Sequence, residues 1–174
     1  MKLPMFLPKK AVILTCMDFR LNNFLSSVTP DTFRLRNAGG RVTKDSIRSL
    51  VVLYKILGIE EIYLIQHTDC GMQKFTDEVM NKLLEESIAK DISAGRTVHK
   101  SSQCKKMNEC CEEDTQIDWR TIKEGVYISV VEDVKLIRNH PLIPSNVPIY
   151  GFVFDVATNE LIPVPEATEV GRAQ

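Results

Sequence analysis

Apolar positions follow two alternating rhythms along the chain. Ala11 to Thr15 is a short, unbroken run rich in branched residues, the pattern of a strand covered on both faces, and it ends at Cys16. Leu21 to Val28 reads as a short helix closed by Pro30, and Phe33 to Arg36 as a second short strand. Between Asp45 and Leu57, the residues Ile47, Leu50, Val51, Tyr54 and Leu57 line one helical face, with Gly58 placed to end the helix. A third strand, Glu61 to Gln66, runs into His67. Phe75 to Lys90 has helical spacing with Val79, Leu83, Leu84 and Ile88 inward, and Glu124 to His140 repeats it through Val130, Val134 and Ile137 until Pro141 stops it. Val147 to Val156 and Leu161 to Val164 then read as a strand and its hairpin partner about Thr158 and Asn159.

Strand, helix, strand in this order implies right-handed parallel crossovers. The pattern therefore predicts an α/β fold in which a central, mostly parallel sheet is flanked by helices, one domain over residues 1–174. Residues 91–124 break the rhythm. Dense in Lys, Glu, Ser, Asp and Gln, they read as a polar surface insertion. Its Cys104, Cys110 and Cys111 lack paired C-x-x-C knuckles and read as free thiols.

Charge excludes some functions. Lys and Arg number 22 against 23 Asp and Glu, with no block of like charge, so no arm for nucleic acid or an anionic membrane is expected. Met1 to Lys10 lacks the apolar core of a secretory signal, and no later run approaches the roughly 18 apolar residues of a membrane span. Five cysteines, an odd count, suit a reducing compartment, and the expected location is cytoplasmic.

Two strand ends carry the chemistry: Cys16, Asp18 and Arg20 after the first, His67 and Cys70 after the third. In an open parallel sheet such ends form the ligand crevice. Two thiolates and an imidazole suit zinc, and three protein ligands leave a fourth position open, as in catalytic rather than structural sites. His99 and His140 are the remaining candidates for a fourth ligand or a proton shuttle. Asp18 lies two residues from Cys16 and Arg20 two more along, so in extended backbone the three share one side. Asp18 has two options there: to ligate the metal itself, or to pair with Arg20 and accept a hydrogen bond from water on the zinc, whose hydroxide would attack a small electrophilic carbon.

Cys16 Met17 Asp18 Phe19 Arg20, Arg36 Asn37 Ala38 Gly39 Gly40 and His67 Thr68 Asp69 Cys70 Gly71, in this order, resemble the C-x-D-x-R, R-N-A-G-G and H-x-x-C-G motifs of the beta-class carbonic anhydrases. The resemblance continues through Val131 Glu132 Asp133 Val134 and Gly151 to Asp155, and the short chain is similar to the smallest subgroup. It implies a Rossmann-like sheet, one zinc on Cys16, His67 and Cys70, and an Asp18 and Arg20 dyad beside it. A homodimer or dimer of dimers is implied too, with substrate near the interface in a pocket shaped by Phe19, Asn37, Ala38, Gly39 and Gly40. The implied reaction is hydration of carbon dioxide to bicarbonate. Phe19 stands where a small residue is common, and this subgroup is similar to enzymes that hydrolyse carbonyl sulfide or carbon disulfide with the same zinc hydroxide.

Overall fold

A computed structural model describes residues 10–28, 32–96 and 117–174. The chain divides into two compact units, Met1–Lys74 with Ile122–Gln174, and Phe75–Thr121.

The first unit is built on a five-stranded sheet in the order β2-β1-β3-β4-β5. Its strands are β1 (Ala11–Cys16), β2 (Phe33–Asn37), β3 (Glu61–His67), β4 (Ile149–Asp155) and β5 (Glu160–Pro163). The first four run parallel and β5 returns antiparallel, as the hairpin pattern predicts. All six residues of β1 are buried, which accounts for its lack of alternation.

Successive residues on the strands point to opposite faces. Val12 and Leu14, Ile62 and Leu64, Ile149 and Val153 point to one face, where they pack with α2 (Lys44–Lys55), α4 (Val126–Arg138) and α5 (Pro165–Val170). Ala11 and Ile13, Tyr63 and Ile65, Phe152 and Phe154 point to the other, with Leu25 and Phe24 of α1 (Asn22–Ser27). From β1 the chain moves one way across the sheet to β2, then the other way to β3 and β4. Right-handed crossovers send the intervening helices to opposite faces when the direction reverses. The reversal point lies between β1 and β3, where α/β sheets of this strand order open a ligand crevice.

Helix ends follow local chemistry. Thr43 and Ser46 form a reciprocal capping box that starts α2. Gly58 at φ 68° follows that helix, and the Ile59 amide turns back to the Leu53 carbonyl at 3.2 Å. The terminal helix α5, begun by Pro165, falls where the sequence reading placed no element.

In the second unit, α3 (Asp77–Ser93) starts at Thr76, whose hydroxyl accepts from the Val79 amide at 3.3 Å. Thr121 and Trp119 donate to Asp77 and Asn81, both at 2.6 Å. The expected inward face is realised only in part: among the described residues Leu84 and Ile88 are half-buried, Val79 and Leu83 are 43% and 48% exposed, and α3 fully buries no residue. Spacing decides which side chains share a side, but burial needs a second layer. Within the unit, only residues 117–121 lie described beside the helix. Cys104, Cys110, Cys111 and His99 lie outside the described residues.

Candidate metal centre

β1 and β3 lie side by side, and Thr15 binds their ends by donating to the Ile65 carbonyl at 2.6 Å. Cys16 is thereby brought to His67, the last residue of β3, and Cys70 follows on the turn beyond. The Cys70 amide donates to the Gln73 side chain at 3.1 Å, which holds that turn. The Cys16 and Cys70 sulfurs are 4.0 Å apart, and together with the His67 ring they form a buried trio with all donor atoms within 4.8 Å. The His67 Nδ1 donates to the Thr68 carbonyl at 2.9 Å, which leaves Nε2 as the free acceptor. That Nε2 is buried and has no hydrogen-bond partner.

An orphaned imidazole nitrogen beside two thiols is costly unless a third party satisfies it. Zinc fits this donor set. Two thiolates at about 2.3 Å from a tetrahedral ion stand about 3.8 Å apart, close to the separation seen. One of the two sulfurs ionises readily: the hydrogen bond from Cys70 is the largest cause that lowers the Cys16 thiol, to about 4, while the same bond pushes Cys70 up and keeps its proton in place. Burial pulls the His67 pKa down, but the negative charge of the neighbouring Cys16 thiolate outweighs it and raises it overall. A metal bound here would release protons. His140 stands apart from the trio; its Nδ1 accepts the Leu142 amide at 3.3 Å.

Asp18 and Arg20 meet by a different route from the one expected. The strand stops at Cys16 and Phe19–Leu21 forms a single 3-10 turn capped by Asp18, so the three residues do not share an extended side. The turn instead curls Arg20 back. Its Nε and Nη2 donate to the two Asp18 carboxylate oxygens at 3.0 and 2.8 Å, and its amide adds a third bond at 2.9 Å. This fork holds the Asp18 pKa at about 2. The Asp18 Oδ2 lies 3.9 Å from the His67 Nε2, so an ionised carboxylate borders the donor trio.

The Asn37–Gly40 segment serves the site first as scaffold. Asn37 spends its amide on Arg41, accepting the backbone N–H at 2.9 Å and donating to the carbonyl at 2.7 Å. Gly40, at φ 64°, presses so closely on β1 that a Cβ would stand 2.7 Å from the Cys16 nitrogen and 2.8 Å from the Thr15 carbonyl carbon. A Cβ on Gly39 would meet Arg41 and Met72 at 3.1 Å. Gly40 is small because backbone approaches backbone, Gly39 because two side chains close on it. Ala38 is half-buried, and Phe19 is 78% exposed.

The sequence reading placed Arg36 at the start of the loop that shapes the pocket and assigned Asp69 no role. Arg36 donates to the carbonyls of Cys16 and Asp18 at 3.0 and 2.7 Å and to Asn22 at 2.7 Å, tying β2 to the turn. Asp69, at φ 51°, accepts from Arg20 at 2.9 Å and pairs with Lys74 at 3.1 Å. Both lie inside the quoted motifs. A surface cavity of about 550 Å³, lined by Tyr54, Lys55, Glu60 and Val147 among others, opens at the amino ends of β3 and β4. The trio of Cys16, His67 and Cys70 sits at the opposite ends of the strands, and chemistry outranks cavity size in locating the site.

Residues 11–161 match the family model described as carbonic anhydrase. The chain is 37% identical over 156 residues to a carbon disulfide hydrolase of Acidianus sp. (strain A1-3), covering 86% of this chain and 74% of the relative. It is 33% identical over 165 residues to beta-carbonic anhydrase 1 of Mycobacterium tuberculosis, covering 91% and 84%. Among solved structures, a carbonic anhydrase from Streptococcus mutans superposes with a TM-score of 0.69 at 34% identity, over 94% of this chain and 86% of that one. The apo form of a carbon disulfide hydrolase gives 0.66 at 34% identity, over 88% and 77%.

Proposed function

Because the chain belongs to the beta-class carbonic anhydrase family, we propose that it hydrates carbon dioxide reversibly to bicarbonate, with one zinc held by Cys16, His67 and Cys70. The observation that carries this reading is the unpartnered, buried His67 Nε2 facing two sulfurs, with the carboxylate of Asp18 at 3.9 Å. Zinc bound there supplies a Lewis acid that brings the ionisation of water near neutral pH. Asp18 accepts a hydrogen bond from the attacking water and so turns its lone pair toward the substrate carbon. Arg20 keeps that carboxylate ionised and fixes its plane through the two-pronged contact. Arg20 is held in turn by the Asp69 carboxylate and carbonyl, both at 2.9 Å. The backbone turn of Gly39 and Gly40 seats Cys16 and limits the space beside it.

A homodimer or dimer of dimers belongs to the same proposal, with Phe19 and the Asn37–Gly40 turn bordering a pocket that the partner completes. Met17 and Phe19, 64% and 78% exposed on either side of Asp18, support a partner surface at that place. Light scattering on the eluting protein reads the assembly directly.

A second reading rests on one specific observation, the 37% identity to a carbon disulfide hydrolase. Carbonyl sulfide with one water gives carbon dioxide and hydrogen sulfide, and carbon disulfide with two waters gives carbon dioxide and two hydrogen sulfides. The same donor set and the same Asp18 would serve either. Stopped-flow comparison of the three substrates tests the proposal. Carbon dioxide with kcat/KM of about 10⁷ to 10⁸ M⁻¹s⁻¹ and little sulfide release supports hydration. A clear preference for carbonyl sulfide or carbon disulfide supports the second reading, and no turnover of any of the three refutes both.

A further inference from the structure

Among the described residues, the aliphatic side of the sheet holds a buried charged cluster. Asp133 on α4 is fully buried, as is Gln66 of β3, and Arg41 is 3% exposed. One carboxylate gathers four donors from three places. Arg41 reaches it with Nε at 2.8 Å and Nη2 at 3.2 Å, the Val42 amide at 3.2 Å, and the Gln66 Nε2 at 3.0 Å. Arg41 also meets the half-exposed Glu132 at 3.6 Å.

Stability alone is a weak reason for such a cluster, because well-packed apolar residues usually do as well in its place. Gln66 makes the point sharper. Its Oε1 is buried without a partner, a cost a wholly apolar side chain would avoid. What the cluster does supply is position. Arg41 and Val42 continue directly from the Gly39–Gly40 turn, which lies in contact distance of the Cys16 backbone and Met72. Gln66 directly precedes His67. One carboxylate on α4 therefore ties down both strand ends that carry the donor trio, from the face of the sheet opposite to it.

We propose that Asp133, acting through Arg41 and Gln66, is a positioning residue that sets the separation of Cys16 and His67 and so the metal's geometry. The proposal rests on the zinc site described above. Asp133 touches neither ligand, so its effect travels through the Gly40 contact and the β3 backbone.

Two variants test it, Asp133→Asn and Gln66→Met. The second has nearly the original shape, removes the unpaired acceptor and cuts the link to β3. Zinc affinity is read by competition with a chelator, ligand geometry by the absorption bands of the cobalt(II)-substituted protein, and folding by thermal unfolding. Gln66→Met should unfold at the parent temperature or above, yet bind zinc about 10-fold to 100-fold more weakly with displaced cobalt bands. Asp133→Asn should show the same spectral displacement, more strongly. A Gln66→Met protein with parental zinc affinity and cobalt bands overturns the proposal, as does zinc loss that merely tracks a lowered unfolding temperature. Should Asp133→Asn fail to fold, Gln66→Met decides alone. Absence of turnover by the parent would refute the proposed reaction, while affinity and spectra would still decide the positioning role.

Discussion

The two faces of the sheet are built for different ends. One is covered by α2, α4 and α5 and is almost wholly aliphatic, with Leu50, Leu64, Val130, Val134 and Ile149 fully or nearly fully buried. The other has α1 and the strand-end turns, and its residues are aromatic and sulfur-bearing: Tyr63, Phe152, Phe154, Cys16 and Cys70. Tyr63 stacks on Tyr150 at 5.0 Å, and Phe24 on Phe154 at 4.6 Å. The thick face supplies burial, about 1.5 to 3 kcal/mol per large side chain. The thin face leaves room for turns whose side chains need a cavity and a charge. Apart from the Asp133, Arg41 and Gln66 cluster, the fold thus separates what holds it together from the face that carries the donor trio.

Cutting the reactive face should have the largest effect. Cys70→Ala is expected to lose stoichiometric zinc and all turnover while keeping its far-ultraviolet circular dichroism; a variant with full zinc and activity would overturn the ligand assignment. Asp18→Asn comes next. On the proposed reading it lowers kcat/KM by about 10² to 10⁴ with zinc retained, and metal analysis beside stopped-flow kinetics separates the two readouts.

The aliphatic face should answer in the opposite sense. Leu50→Ala is expected to cost about 2 to 5 kcal/mol in urea unfolding, with zinc content and kcat/KM of the folded protein unchanged. Equal loss of affinity and stability would erase the distinction between the faces. Acid provides the mildest probe. Arg20 depresses the Asp18 pKa from 3.8 to about 2, so the folded state binds that proton less readily than the unfolded chain. The stability it contributes is complete above about 4 and vanishes as pH falls through about 2. In metal-free protein, the difference in urea midpoint between parent and Asp18→Asn should shrink over that window.

Much of this was legible in the sequence because the signals are local. The unbroken run at β1, the spaced apolar face of α2 and the polar residues that follow each strand all fall within a few positions of one another. The trio Cys16, His67 and Cys70 was readable since a parallel sheet brings consecutive strand ends to one edge. Asp133 was less so. An acid among Val126, Val130, Val134 and Ile137 on a helical face is a signal, but its meaning depends on Arg41 and Gln66, which lie 92 and 67 residues away in the chain.

By itself, then, the sequence determined element types, their order and the donor chemistry of Cys16, His67 and Cys70, all of which depend on residue identity and short spacing. Tertiary structure alone decided how those residues meet. Arg20 reaches Asp18 through a turn instead of along a strand, since the chain must leave the sheet at Cys16. Gly40 is required because a Cβ there would stand 2.7 Å from the Cys16 nitrogen of another segment, and exposure of Val79 and Leu83 turns on which layer covers α3. Contacts between distant segments depend on where the whole chain runs, and no local pattern encodes that.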